Sequence, residues 1–150
     1  MKLTSSAAAI LELIRTGANE SAEPLLALFD ELDPVPATFM YGRWRGGLLT
    51  ADRELGVLLT RMKWYGRHFT DAEHADPLLC RRSDGTLYSF AGLGLARLRE
   101  LSFRGKVSAA MIYDDQPMID VFRKISENVV LGVTDTKGRP ADFFFHLTRD

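Results

Sequence analysis

The chain has 150 residues, of which 46% are apolar and 26% are charged. This composition excludes a disordered chain, and the length predicts a single compact domain over residues 1–150. The net charge of -1 provides no excess positive field for nucleic acid, and no run of basic residues marks a membrane surface.

Cysteine usage and the apolar pattern bear on location and partners. Cys80 is the only cysteine, so no intramolecular disulfide is expected, which favours a reducing compartment. Residues 1–14 lack the continuous apolar core of a signal peptide, and no stretch approaches the roughly 18 apolar residues of a membrane span. We therefore expect a cytoplasmic protein without nucleic-acid or membrane partners, and we leave a homodimer open.

Three amphipathic helices are predicted in the first half of the chain. Gly17 is placed to end the first helix, and Ser21 is placed to begin the second. The third follows Gly46-Gly47 and is closed by Trp64-Tyr65. The apolar faces of the three helices are Ile10, Leu13 and Ile14; Leu25, Leu28, Phe29 and Leu32; and Leu55, Leu58, Leu59 and Met62.

An antiparallel sheet is predicted for most of the remaining chain. Residues 38–44 are strand-like, and from about Leu78 the apolar period switches to two, with turn sequences that predict two hairpins. Residues 97–113 form one bent strand or two short ones around Gly105. Residues 117–126 fit a helix or a strand, and we favour a short helix. The fold class is α+β, with N-terminal helices packed on a strongly curved antiparallel sheet.

Several motifs in a fixed order carry a family resemblance. Residues 42–46 read GRWRG, a literal GXWXG, and residues 64–69 add an aromatic, glycine and basic run. The chain resembles the GXWXG domain family over about residues 38–70. The stretch 104–114, RGKVSAAMIYD, and later pieces up to Arg149 resemble the companion domain of unknown function that usually follows, over about residues 97–150 of the same sheet.

The resemblance implies a small lipocalin-like barrel around a small-molecule cavity, and it implies no particular reaction. The chain departs from the family pattern at three places. Val121 stands where a histidine is expected, Asp52-Arg53 replaces a glycine-histidine pair, and His146 stands where tyrosine is more usual.

Binding of an apolar or aromatic small molecule is the favoured function. The residues that would form a barrel wall are rich in aromatic side chains and methionine, with few polar groups, as in many ligand sites. Trp44 is interpreted equally well as a core residue, because a buried tryptophan needs no ligand. The ligand-binding candidates are Tyr41, Trp44, Trp64, Tyr65, Lys106, Met111, Asp114, Phe122 and His146.

A cofactor-independent isomerase, lyase or cyclase of a hydrophobic metabolite is the alternative. Residues 113–120 contain a phenol and three carboxylates. In this alternative Asp120 or Tyr113 moves a proton and Arg104 holds an oxyanion. Asp120 is equally well interpreted as half of a surface salt bridge with a basic neighbour such as Arg123 on a helix.

A haem-binding barrel is a further alternative, with His146 as the axial ligand on the strand face that it shares with Phe144. Apart from this alternative, no cofactor is expected. No metal site is expected either, because His68 and His74 are six residues apart, which fits no helical or strand site.

Overall fold

A computed structural model of the protein describes residues 3–150. Met1 and Lys2, which begin the segment searched for a signal peptide, lie outside the described residues. Within residues 3–150 there are three α-helices and nine strands, and a short 3-10 turn at Ala37–Met40 precedes the first strand. In chain order they are α1 Ser5–Thr16, α2 Ala22–Asp30, β1 Gly42–Leu48, α3 Glu54–Arg61, β2 Trp64–Phe69, β3 Ala75–Arg81, β4 Leu87–Ser89, β5 Ala96–Phe103, β6 Lys106–Tyr113, β7 Met118–Ser126, β8 Val129–Thr136 and β9 Phe143–Arg149.

The strands form a closed antiparallel barrel. Neighbouring strands follow the order β2, β1, β9, β8, β7, β6, β5 and β3, and a further pairing of β2 with β3 closes this ring of eight within residues 3–150. Strand β4 pairs with β3 and lies outside the ring. The predicted α+β class, with helices packed on a strongly curved antiparallel sheet or small barrel, is confirmed.

The barrel has an apolar interior and an apolar outer face where the helices lie. Alternate residues of each strand point inward, as the geometry of a barrel requires. The interior cluster is rich in aromatic side chains and includes Trp44, Phe69, Phe122, Phe143 and Phe145. A second cluster joins α1 and α2 to the outer face of the sheet and includes Ile10, Leu25, Phe29, Val121 and Leu131.

The two ends of the barrel are covered by different segments. Helix α3 connects β1 to β2 at one end, where Leu55 and Leu59 pack against the interior cluster. Residues 33–41 cross the other end, where the Ala109 amide donates to the Val35 carbonyl at 2.8 Å. The interior is therefore reached only past one of these segments.

Two helix boundaries follow the predicted residues, whereas the start of α1 does not, because Ser6 was predicted to cap this helix and instead lies within it. Gly17 ends α1 in the left-handed conformation, with φ of 68°, which glycine adopts without strain. Ser21 precedes the first residue of α2. The side chain of Thr4 begins α1 by accepting a hydrogen bond from the Ala7 amide at 3.1 Å.

Strand β7 covers Met118–Ser126, so the short helix favoured for residues 117–126 was wrong. Both faces of β7 are covered, because Asp120 and Phe122 point into the barrel while Val121 and Arg123 lie beneath the helices. A strand buried on both faces carries an almost continuous apolar run, which also fits a helical period.

Two further predictions needed correction. Trp64-Tyr65 begins β2 and does not close α3, and residues 37–40 form a 3-10 turn where a strand was predicted. Residues 97–113 form two strands, as one of the alternatives allowed. They are joined by a tight turn in which Arg104 and Gly105 both have positive φ, 52° and 86°, as a two-residue hairpin requires.

Candidate functional site

A polar cluster is buried inside the barrel among aromatic side chains. The side chains of Arg67 on β2 and Asp120 on β7 are only 2% and 1% exposed, and Arg67 Nη1 lies 2.6 Å from Asp120 Oδ2. Thr134, directly opposite Asp120 in the pairing of β7 with β8, donates its hydroxyl to Asp120 Oδ1 at 2.6 Å. The Tyr113 phenol on β6 lies near enough to Arg67 and Asp120 for both charges to affect its pKa.

The sequence places these four side chains inside the barrel through simple strand alternation. Arg67 points inward together with Phe69, Asp120 together with Phe122, and Tyr113 together with Met111. The barrel wall then brings four polar residues from separate strands into one layer.

Aromatic rings and the carboxylate stabilise the buried guanidinium. Burial opposes the charge on Arg67, but the attraction of Asp120 outweighs it, so the pKa of Arg67 is raised. The Arg67 Cζ atom lies 4.5 Å from the ring centre of Phe145 and 5.6 Å from that of Trp64. Burial, reinforced by the charge of Asp120, also raises the pKa of Tyr113, which keeps its phenol protonated and able to donate.

The cluster leaves one donor and one acceptor without a hydrogen-bond partner among the described residues. They are Arg67 Nε and Asp120 Oδ2, both fully buried. Asp120 Oδ2 is within ion-pair distance of Arg67, yet its contact lacks the angles of a hydrogen bond. Buried polar atoms without partners are costly and uncommon, so the cluster has capacity for a further polar group.

A small pocket of about 30 Å³ adjoins the cluster beneath α3. Its polar lining comes from Arg67, Tyr113 and Thr134. The rest of the lining is apolar: Leu55, Leu58, Leu59, Leu78, Leu93, Met118 and Phe143. The pocket therefore joins an apolar wall to the exposed edge of a buried polar cluster.

A surface groove of about 310 Å³ lies next to this pocket, between α3 and the hairpin that joins β8 to β9. The groove and the pocket share Leu55, Thr134 and Phe143. Two ion pairs cross the groove, from Arg53 Nη1 to Asp142 at 3.7 Å and from Arg139 Nη1 to Glu54 at 3.3 Å. The groove and the pocket therefore adjoin each other at these three shared residues.

Half of the predicted site residues lie inside the barrel and half lie outside it. The residues inside are Trp44, Trp64, Met111, Tyr113, Asp120 and Phe122. The residues outside are Tyr41, Tyr65, Arg104, Lys106, Asp114 and His146. The structure brings together Tyr113 and Asp120, and it adds Arg67 and Thr134 to them.

Arg104 and Lys106 serve the fold, which corrects their predicted role in the cavity. Arg104 belongs to the hairpin turn and forms an ion pair with Asp30, with Nε 2.6 Å from Oδ1. Lys106 Nζ donates to the carbonyl oxygens of Asp30 and Leu32 at 3.0 and 2.7 Å. Both cations therefore hold the C-terminal end of α2, where the helix dipole favours positive charge.

Three other candidates lie on the surface, away from the pocket. Tyr41 is 37% exposed. The Tyr65 hydroxyl donates to Asp150 Oδ2 at 2.7 Å, and Asp114 forms a long ion pair of 3.5 Å with Arg97. These contacts stabilise the outer wall and leave the residues unable to touch a ligand inside the barrel.

Trp44 lies inside the barrel but does not line the pocket. The side chain is fully buried, and Nε1 donates to the Met40 carbonyl at 2.8 Å. The ring packs against Phe39, and the Arg149 guanidinium lies over it at 4.2 Å. These contacts favour the interpretation of Trp44 as a core residue.

His146 points out of the barrel, on the face of β9 that it shares with Phe144. Burial lowers the pKa of His146 to about 4, and the charge of Arg45 contributes in the same direction. Because His146 faces outward and the interior pocket measures only about 30 Å³, the site does not fit haem. Among residues 3–150, no group of three His, Cys, Asp or Glu side chains converges as a metal site requires.

The proposed surface salt bridge of Asp120 is also corrected. Strand alternation sends Arg123 to the outer face, where it donates to the carbonyl oxygens of Phe29 and Phe103 at 2.8 and 2.7 Å. Asp120 points inward and pairs with Arg67, so the carboxylate belongs to the interior cluster.

Arg67 and Thr134 were missed as site residues. Once β2 is recognised as a strand, alternation places Arg67 on the same face as the core residue Phe69, which would have marked it as a buried charge. Thr134 carries no such signal, because threonine is common on the surface of strands.

Comparisons with known proteins agree with the motifs. Residues 27–85 match the model of the GXWXG protein family, and residues 94–149 match a domain of unknown function (DUF4334). A crystal structure of a protein from Thermomonospora curvata has the same fold, with a TM-score of 0.94 and 46% sequence identity, covering 98% of this chain and 99% of that chain. None of the curated proteins compared with the chain matches it. The chain belongs to the GXWXG family, with the companion domain of unknown function at its C-terminal side.

In the part of the chain that the structure describes, no helix has both the length and the apolar character needed to cross a membrane.

Proposed function

We propose that the protein binds a small, largely apolar molecule at the end of the barrel beneath α3. The observation that carries this proposal is the apolar pocket whose polar lining, Arg67, Tyr113 and Thr134, belongs to a buried polar cluster with an unused donor at Arg67 Nε. Apolar walls with a few fixed polar groups are the usual composition of small-molecule sites.

The size of the pocket indicates how a ligand would lie. A volume of about 30 Å³ holds only a small group, whereas the adjoining groove offers about 310 Å³. Leu58 lines the pocket although it is 40% exposed, so the cover formed by α3 is thin. We expect a ligand to place one end beside the cluster and its remainder under α3 and towards the groove.

A cofactor-independent isomerase, lyase or cyclase is the second candidate, because Tyr113 and Asp120 lie together inside the barrel. Arg67 would then take the role first assigned to Arg104. Binding is favoured over catalysis, because Asp120 does not line the pocket. A proton acceptor needs a free oxygen directed at the substrate.

Pocket filling tests the proposal. Toluene, the probe, should bind the wild-type protein saturably, as followed by chemical-shift changes and by Trp64 emission. Leu93→Phe adds volume at the pocket wall and should weaken binding at least roughly tenfold. Val57→Phe, at a position of α3 that is 41% exposed and outside the pocket lining, is the control.

Circular dichroism and thermal unfolding establish that both variants fold. Equal binding of toluene by Leu93→Phe and Val57→Phe would place the site elsewhere. The proposal is overturned if neither toluene nor any polar derivative of it binds the wild-type protein saturably.

A further inference from the structure

We infer that the ligand meets the buried cluster through an uncharged hydroxyl group, as in an alcohol, a phenol or an enol. This inference rests on the proposed function, since it concerns the group that a ligand of the pocket directs at Arg67, Tyr113 and Thr134.

The hydrogen-bonding capacity of the cluster is mixed. Of the groups that line the pocket, Arg67 and the protonated Tyr113 supply donors, while the Thr134 oxygen supplies an acceptor. The proton of Thr134 is already committed to Asp120 Oδ1, so towards the pocket Thr134 acts only as an acceptor. A hydroxyl is the smallest group that accepts and donates through a single atom.

The charge of the cluster selects against ionised groups. Arg67 and Asp120 neutralise each other at 2.6 Å, and both are almost completely buried. Because the pair is already neutral, an ionised group of a ligand would bring an additional, uncompensated charge into an apolar interior. A ligand without polar atoms would leave Arg67 Nε unpaired.

The dimensions of the pocket agree with a small head group. A site of about 30 Å³ exceeds the roughly 10–15 Å³ that one water-sized group needs. A hydroxyl with its carbon therefore fits beside Thr134, and the larger body of the ligand extends past Leu55 and Phe143.

A matched series of probes tests the inference with the full chain. Toluene, p-cresol, 4-methylbenzoate and 4-methylbenzylamine share one ring and differ in the polar group. We expect p-cresol to bind at least roughly tenfold more tightly than toluene, and the two ions to bind more weakly than p-cresol. A purely apolar pocket would give the opposite order for p-cresol and toluene, because water solvates the phenol better.

Two variants connect this preference to the cluster. Thr134→Val and Tyr113→Phe each remove one hydroxyl and should lower the p-cresol to toluene affinity ratio towards one, while toluene binding persists. Thr136→Val changes the same kind of residue on the same strand, in the groove and outside the pocket lining, and should leave the ratio unchanged.

The outcomes separate the two proposals. If no probe binds, the proposed function fails together with the inference. If toluene binds as tightly as p-cresol, or if an ion binds most tightly, the inference is overturned and the binding function stands. A preference for p-cresol that survives in both Thr134→Val and Tyr113→Phe also overturns it, because the hydroxyl is then recognised elsewhere.

Discussion

Arg67 and Asp120 connect opposite sides of the barrel. They lie on β2 and β7, which are four strands apart in either direction around the ring of eight within residues 3–150. The contact of 2.6 Å between Arg67 Nη1 and Asp120 Oδ2 therefore connects the two sides of the barrel through side chains, independently of the backbone pairing.

Removing one member of this pair should be costly. Asp120→Asn leaves the Arg67 guanidinium buried without a counter-charge, and we expect a loss of about 3–5 kcal/mol in the free energy of unfolding. Arg67→Met combined with Asp120→Asn should recover part of this loss, because no charge is then buried. Arg104→Ala, which breaks the exposed pair with Asp30, should cost less than about 1 kcal/mol.

Urea unfolding of the four proteins measures these differences. If Asp120→Asn destabilises the fold no more than Arg104→Ala does, the interior ion pair does not have the role assigned to it.

The ion pairs across the groove should control the rate of ligand exchange. The pairs Arg139–Glu54 and Arg53–Asp142 join the start of α3 to the β8–β9 hairpin. Arg139→Gln should let α3 open more often, which raises the association and dissociation rates of p-cresol several-fold and leaves its Kd nearly unchanged. Line-shape analysis of the ligand resonances measures both rates.

The matched control is Arg15→Gln, which breaks an exposed ion pair with Glu12 on α1. Unchanged exchange in Arg139→Gln, or an equal effect in Arg15→Gln, would contradict a role of the groove as the route to the pocket.

His146 should make stability depend on pH. The folded-state pKa of about 4, lowered by burial, lies below the unfolded value of about 6.5, so between these values the unfolded chain binds more protons. Stability therefore falls as the pH falls through this window. We expect a loss of about 2 kcal/mol in unfolding free energy from pH 7 to pH 5, measured by urea unfolding.

His146→Gln should remove this part of the pH dependence of the unfolding free energy, whatever its effect on stability at pH 7. The pKa of carboxylates such as Asp30 is lowered by hydrogen bonds, in this case with Arg104. These carboxylates titrate at lower pH than His146, so their contribution to stability is lost only as the pH falls further. If the unfolding free energy of the wild-type protein and of His146→Gln changed equally between pH 7 and pH 5, His146 would not be held neutral in the fold.

Gly46, the second glycine of the GXWXG motif, should be needed for packing inside the barrel. Gly47, the next residue, should be needed for packing on the outer face. A Cβ at Gly46 would overlap the Trp64 ring, whereas a Cβ at Gly47 would overlap His146. We expect Gly46→Ala to shift Trp64 emission and weaken p-cresol binding. Gly47→Ala should leave both unchanged and alter the His146 titration followed by NMR. If Gly47→Ala displaced Trp64 instead, the assignment of the two faces of β1 would be wrong.

The sequence predicted those parts of the fold that depend on local patterns. Gly17 ends α1 as a left-handed cap, Ser21 marks the start of α2 without a capping hydrogen bond from its side chain, and Lys137-Gly138 marks a hairpin through turn chemistry. Strand β7 could not be distinguished from a helix, because covering both of its faces removes the alternation by which a strand is recognised.

The candidate site was only partly predictable for a related reason. Tyr113 and Asp120 were identified because a phenol and a carboxylate stood out in an apolar run. Their partner Arg67 lies more than forty positions away, and only the closure and register of the barrel bring it to them. Arg104 has the same charge, but its place in a hairpin turn carries it outside.

The pairing of β1 with β9 has a consequence for synthesis on the ribosome. Trp44 lies opposite Arg149 in this pairing. Strand β1 therefore cannot complete its pairing with β9 until Arg149 has been synthesised. At about 5–20 residues per second, the edge of β1 that pairs with β9 stays unpaired for several seconds until β9 has been translated. During that interval the nascent chain exposes an open sheet edge, which is the state most prone to aggregation and most dependent on chaperones.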